Sequence, residues 1–106
     1  MMRAAKQDAN HKELRDEARK MNVGWFDCFQ LKKFCDAFIV YEGVTVAVEV
    51  KDGSKAPSQR KLTEGEQEFS DKWSSYGGKY AVIESKADLQ GLIENIQHYR
   101  KLNNNH

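Results

Sequence analysis

Two short segments rich in β-branched and aromatic residues lie next to each other near the middle of the sequence. They are residues 35–41 and 44–51, and only a Glu-Gly pair at 42–43 separates them. This composition is typical of strands, and a two-residue connection favours an antiparallel hairpin. We therefore predict a β-hairpin in which Tyr41 pairs with Val44, and the rest of the chain has to pack around it.

The predicted register gives the hairpin one apolar face and one mixed face, because side chains alternate along a strand. The residues expected on the apolar face are Ala37, Ile39, Tyr41, Val44, Val46, Val48 and Val50. On the mixed face Asp36 lies opposite Glu49, and Lys51 follows two residues later. Like charges directly opposite one another destabilise a sheet, but a hard divalent cation binds carboxylate oxygens. The sequence thus predicts a cation site beside a lysine. The alternative is an exposed Asp36 and a solvated Glu-Lys pair.

The same residues resemble the motif of a known nuclease superfamily. Asp36 followed by Glu49-Val50-Lys51 at the end of a hydrophobic strand looks like the PD-(D/E)XK nuclease motif, with Cys35 in place of the usual proline. The order of the surrounding elements is similar to that of the small stand-alone VRR-NUC nucleases and, more distantly, of archaeal-type Holliday junction resolvases. The resemblance covers about residues 10–92. It implies a restriction-endonuclease-like αβββαβ core.

Spacing and composition predict the elements that surround the hairpin. Residue pairs with helix-start spacing are Asn10 with Glu13, Thr63 with Glu66, and Ser85 with Asp88. Further strands are expected at 25–29 and 79–83, the second parallel to the hairpin because a helix connects them. The result is an α/β fold with a small mixed sheet flanked by helices and an extra C-terminal helix. We expect one domain over residues 1–106, with frayed ends at 1–9 and 102–106.

The resemblance implies additional site residues on two helices. In the family a glutamate of the first helix approaches the metal. Glu13 matches it, because it lies about three turns before Gly24, where we expect that helix to end. In the VRR-NUC nucleases a glutamine on the helix after the hairpin, about three turns before a glycine, helps to hold the attacking water or substrate. Gln67, ahead of Gly77, matches that place. The alternatives are a capping role for Glu13 and a solvent-exposed Gln67. Glu66 is interpreted as structural, because acids near a helix start suit the helix dipole.

The resemblance also implies the chemistry of the site. The residues expected to take part in catalysis are Asp36, Glu49, Lys51 and Gln67. The expected ligands of a Mg²⁺ or Mn²⁺ ion are Asp36, Glu49, the carbonyl of Val50, and Glu13. Lys51 would orient the attacking water or offset the developing charge. The expected products carry a 5′-phosphate and a 3′-hydroxyl.

Local basic clusters have to provide any DNA contacts, because the net charge of the chain is only +1. The candidates are Lys32, Lys33, Lys55, Arg60 and Lys61. The resemblance implies a structure-specific, Holliday junction resolvase-like endodeoxyribonuclease that works as a homodimer, since a four-way junction needs two symmetric cuts. The alternatives are a flap or duplex DNA nuclease of the same superfamily, a non-catalytic DNA-binding module, and an unrelated small α/β interaction domain.

Other features limit the remaining function classes. Cys28 and Cys35 form neither a disulfide framework nor a metal motif, so we expect free thiols. No apolar run approaches the roughly 20 residues that span a bilayer, and the N-terminal residues lack a hydrophobic signal region. We therefore expect a cytoplasmic protein of a bacterial or phage-infected cell, without membrane contact. A Gly-rich phosphate loop is missing, so no nucleotide cofactor is expected. Asp27 is interpreted as a polar edge residue.

Overall fold

The computed structural model describes residues 9–28 and 34–103, which form a mixed α/β architecture. The helices are α1 (His11–Lys20), α2 (Glu64–Ser75) and α3 (Lys86–Asn103), and the strands are β1 (Gly24–Asp27), β2 (Ala37–Tyr41), β3 (Val44–Val50) and β4 (Lys79–Ile83). A short 3₁₀ turn, Pro57–Gln59, lies in the loop after β3. The predicted order of helices and strands is confirmed. Among the described helices, none combines the length and apolar character needed to cross a membrane.

The central hairpin has the predicted register, with Tyr41 paired to Val44 and Phe38 paired to Ala47. Its turn residues, Glu42 and Gly43, have φ values of 48° and 83°. Positive φ at both central residues is the geometry whose twist matches that of the two strands. Arg100 of α3 donates a hydrogen bond to the Glu42 carbonyl at 2.6 Å, so the last helix holds this turn in place.

The four strands form one sheet in the order β1-β2-β3-β4. Both β1–β2 and β2–β3 are antiparallel. The pairing of β3 with β4 is parallel, as predicted, because α2 carries the chain from one end of the sheet back to the other. The site residues at the end of β3 therefore lie between a hairpin on one side and a crossover on the other.

The apolar face of the sheet packs against α1 and α3, and this layer contains the hydrophobic core. Its buried residues include Leu14, Ala18, Ala37, Ile39, Val46, Val48, Val50, Ile83, Leu89, Ile93 and Ile96. Tyr41 and Val44 are partly buried against the same cluster. The predicted apolar face of the hairpin is thus the face that the two helices cover.

The opposite face of the sheet packs against α2 through aromatic side chains. Trp73 lies against Phe38 of β2 with ring centroids 5.5 Å apart, and its indole donates a hydrogen bond to the Lys79 carbonyl. Trp73 therefore packs between α2 and the sheet. Tyr76 is 83% exposed, because α2 ends at Ser75.

The ends of α1 differ from the sequence prediction. Asn10 precedes the helix, but its side chain makes no cap hydrogen bond. Its amide instead donates to the carbonyls of Lys51 and Glu84, so it ties α1 to the ends of β3 and β4. The capping role considered for Glu13 was therefore wrong. The helix also ends before Gly24, because Asn22 adopts the left-handed conformation with φ 61°.

The other helix starts follow the predicted spacing. Thr63 and Glu66 form the reciprocal capping box of α2. Ser85 accepts a hydrogen bond from the Asp88 N–H at the start of α3. That helix continues to Asn103. Residues 1–8 and 104–106 lie outside the described part of the chain.

Candidate active site

Asp36 and Glu49 meet at the open end of the hairpin, as the register predicted. The Asp36 N–H donates to Glu49 Oε1 at 2.8 Å, and Asp36 Oδ2 accepts from the Val50 N–H at 2.7 Å. Each carboxylate is therefore anchored by the backbone of the strand opposite. Glu49 is 1% exposed, so both its position and its environment are set by the packing of β3.

A third carboxylate, that of Glu66, joins this pair from the first turn of α2. One oxygen from each of Asp36, Glu49 and Glu66 lies within 4.8 Å of the others. Lys51 Nζ donates to Glu66 Oε1 at 2.7 Å, and the Thr63 N–H donates to the same oxygen at 2.8 Å. We call Asp36, Glu49 and Glu66 the acidic cluster. The ammonium group of Lys51 lies at its edge.

The three carboxyl groups have unequal proton affinities. Burial raises the pKa of Asp36. Burial, together with the neighbouring Asp36 and Glu66 carboxylates, raises the pKa of Glu49 to about 9. Burial also opposes ionisation of Glu66, but hydrogen bonds from Lys51 and the Thr63 backbone outweigh it and lower the pKa of Glu66. At neutral pH the cluster without a cation therefore holds a proton on Glu49 beside an ionised Glu66.

Two polar atoms around the acidic cluster are buried without a hydrogen-bond partner among the described residues. They are Glu49 Oε2 and the hydroxyl of Tyr80. Burial, followed by the charges of Glu49 and Glu66, raises the pKa of Tyr80, which places its ring near the same carboxylates. Unpaired buried polar atoms are rare because they are costly. A cation bound among the carboxylates would satisfy the Glu49 oxygen when Glu49 is ionised and no longer shares a proton with Glu66.

Two of the predicted site residues do not join the cluster. Glu13 pairs with Lys86 of α3, at 3.4 Å between Nζ and Oε1, and its side chain is 59% exposed. Gln67 is exposed and donates to Asp71 Oδ1. Successive residues of a helix differ by about 100°, so α2 cannot direct both Glu66 and Gln67 towards the sheet. Glu66, interpreted above as structural, joins the acidic cluster instead.

The predicted DNA contacts divide into three groups. Lys55 and Lys61 are exposed around the loop after β3. Arg60 is less accessible, because its guanidinium donates to the Lys55 carbonyl and to Glu84 Oε1 at 2.9 Å. It holds the loop against the end of β4. Lys32 and Lys33 lie outside the described residues.

A polar network that the sequence analysis missed supports the strand next to Asp36. Asp27 Oδ1 accepts from the Trp25 indole and lies 2.7 Å from Nε2 of the buried His11, while Oδ2 accepts from Arg15. Asp27 is thus the centre of a network rather than a polar edge residue. His11 and Arg15 are four residues apart on α1, and Trp25 and Asp27 share a strand face. Those two spacings are the sequence features from which the network could have been predicted.

The site combines three carboxylates, one ammonium group and an unpaired buried oxygen at the end of a parallel strand pair. It can hold a cation and, next to it, an anionic group. Comparisons of the chain with protein-family models, with curated proteins and with solved structures found no match.

Proposed function

We propose that this chain is a metal-dependent endodeoxyribonuclease that hydrolyses phosphodiester bonds in DNA, as its resemblance to the PD-(D/E)XK nucleases implies. The observation that carries the proposal is the acidic cluster beside the ammonium group of Lys51. A negatively charged oxygen site suits a hard divalent cation, and a lysine at its edge suits a phosphate. Such groups are suited to metal-assisted hydrolysis of a phosphodiester.

Asp36, Glu49 and Glu66 would hold Mg²⁺ or Mn²⁺, with the carbonyl of Val50 as a further oxygen ligand. The buried Glu49 carboxyl supports this assignment, since a cation would replace the proton that Glu49 otherwise shares with Glu66. A bound ion supplies a water of lowered pKa and stabilises charge on the phosphate oxygens.

Lys51 provides the positive charge that the protein itself contributes. Its side chain is 11% exposed, and its Nζ lies 2.7 Å from Glu66 Oε1. Glu66 therefore fixes the ammonium group at the rim of the acidic cluster, where it would face a scissile phosphate. A preorganised charge of this kind stabilises the negative charge that develops as the phosphodiester is attacked.

Cleavage of labelled linear duplex, flap and four-way junction DNA, with and without Mg²⁺, tests the proposal. We expect Mg²⁺-dependent cutting that falls by about a hundredfold or more in Glu49→Gln, Glu66→Gln and Lys51→Ala, because each removes a ligand or the stabilising charge. Glu68→Gln is the matched control. It lies on the same helix, is exposed, and is outside the acidic cluster.

Three outcomes decide between the candidate functions. Cutting lost in the three cluster variants and kept in Glu68→Gln supports the nuclease. DNA binding without cutting by the wild-type protein supports a non-catalytic DNA-binding module instead. Absence of both cutting and binding supports a small interaction domain.

The substrate shape and the oligomeric state are part of the same proposal. A four-way junction requires two cuts, so a junction-specific enzyme has to present two active sites. We therefore expect a homodimer in solution, measured by analytical ultracentrifugation. We also expect an unlabelled junction to compete with labelled substrate better than a linear duplex of equal length. Equal competition would favour the flap or duplex alternative.

A further inference from the structure

A pair of thiols lies directly beside the acidic cluster. Cys28 Sγ and Cys35 Sγ are 3.5 Å apart, and Cys28 Sγ also donates to the Cys35 carbonyl at 2.9 Å. Cys35 is fully buried, whereas Cys28 is half-buried. Both residues are free thiols in this structure. The two sulfur atoms are therefore in contact, and Cys28 is the more exposed residue of the pair.

The backbone around these thiols is held in place by the sheet. The Cys28 N–H donates to the Asp36 carbonyl at 2.8 Å, which continues the pairing of β1 with β2. Cys35 immediately precedes Asp36 in the sequence. A disulfide has a sulfur–sulfur distance of about 2.05 Å, so bond formation requires the two sulfur atoms to approach by about 1.5 Å.

We propose that Cys28 and Cys35 are a redox-sensitive dithiol that closes reversibly to an intramolecular disulfide. A small-molecule disulfide such as glutathione disulfide is the oxidant. The half-buried Cys28 attacks one of its sulfurs, forms a mixed disulfide and releases one glutathione thiolate. Cys35 then attacks Cys28 Sγ and releases the second glutathione. Two protein thiols are oxidised, one glutathione disulfide is reduced, and the two protons pass to the released thiolates.

The disulfide would add a covalent link between the end of β1 and the residue before Asp36. It would join two strands that are already paired, so the native fold should tolerate it. A cross-link in a native-compatible geometry stabilises a protein mainly by restricting its unfolded state. The oxidised protein is therefore expected to unfold at a higher urea concentration than the reduced protein.

Intact-mass spectrometry after equilibration of the full chain with glutathione disulfide tests this proposal without relying on nuclease activity. We expect the wild-type protein to lose two hydrogen atoms, to resist iodoacetamide, and to recover both thiols with dithiothreitol. Cys35→Ser should instead keep one glutathione on Cys28, because the resolving thiol is missing. Cys28→Ser should remain unmodified, because Cys35 is buried.

Several results would overturn the proposal. One is that the wild-type protein retains both thiols after equilibration with glutathione disulfide. Another is that a glutathione adduct persists on the wild-type protein, and a third is that a disulfide-linked dimer appears on a non-reducing gel. A lower urea midpoint for the oxidised protein would also overturn it, since that result means that the disulfide strains the native sheet. The outcome is independent of the nuclease proposal, because every readout is a mass, a thiol count or an unfolding transition.

Discussion

The buried carboxyl of Glu49 predicts an unusual dependence of stability on pH. Its pKa is raised from 4.5 to about 9 by burial and by the nearby Asp36 and Glu66 carboxylates. Between these two values the folded protein binds a proton that the unfolded chain has lost. The stabilisation from Glu49 is thus fully present below pH 4.5 and is lost as the pH rises towards 9. In the presence of a metal chelator, the free energy of unfolding should therefore decrease as the pH rises.

The magnitude follows from the number of protons involved. A difference of one bound proton between the folded and unfolded states changes the free energy of unfolding by about 1.4 kcal/mol per pH unit. Raising the pH from 6 to 8 should therefore lower this free energy by up to about 3 kcal/mol. Glu49→Gln should remove this slope. Its side-chain oxygen can still accept from the Asp36 N–H, as Glu49 Oε1 does at 2.8 Å. The variant should therefore be more stable than the wild-type protein at pH 8.

Urea unfolding in EDTA at pH 6, 7 and 8, followed by tryptophan fluorescence, measures this effect. The useful quantity is the difference between the wild-type protein and Glu49→Gln, since titrating groups remote from the acidic cluster contribute equally to both. The exposed control variant, Glu68→Gln, should keep the wild-type slope. Parallel pH dependences for the wild-type protein and Glu49→Gln would refute the reasoning, because Glu49 would then be ionised in the folded protein.

Four further changes test the packing that positions the site. Ile39→Ala should lower the free energy of unfolding by about 2–5 kcal/mol, measured in urea, because Ile39 is fully buried. Thr63→Ala removes the side-chain cap of α2 and should cost about 1 kcal/mol in the same assay. Gly78→Ala would place a Cβ against the Trp73 indole, so it should shift tryptophan emission and cost about 1–3 kcal/mol. Gly77→Ala meets open space but has φ +84°, so it should destabilise the protein without that emission shift.

The hairpin and the acids at its end could be predicted because both depend on short-range rules. Alternation along β2 and β3, together with a two-residue turn, fixes the register, and the register fixes which side chains meet. The parallel pairing of β4 followed from the helical connection. These relations involve neighbouring elements, so no knowledge of the whole fold was needed.

The helical contributions could not be predicted because they depend on how each helix is rotated about its axis. Glu66 was fully explained by its capping box, and nothing in the local sequence showed that the same carboxylate also faces Lys51. Glu13 had the expected spacing, but α1 directs it towards Lys86. A difference of one residue rotates a side chain by about 100°, and only tertiary packing determines that angle.

The arrangement of the sheet, a hairpin followed by a helical crossover, sets the order in which the acidic cluster is assembled during folding. Asp36 and Glu49 are 13 residues apart in one hairpin, and hairpins form within about 1–10 μs. Glu66 and the parallel strand β4 depend on a long crossover, whose chain-closure entropy delays their docking. We therefore expect the two hairpin acids to be together in the folding transition state, before Lys51 acquires its partner on α2. Because the Asp36 and Glu49 carboxylates repel each other once both are ionised, folding of the metal-free chain should slow down as the pH rises.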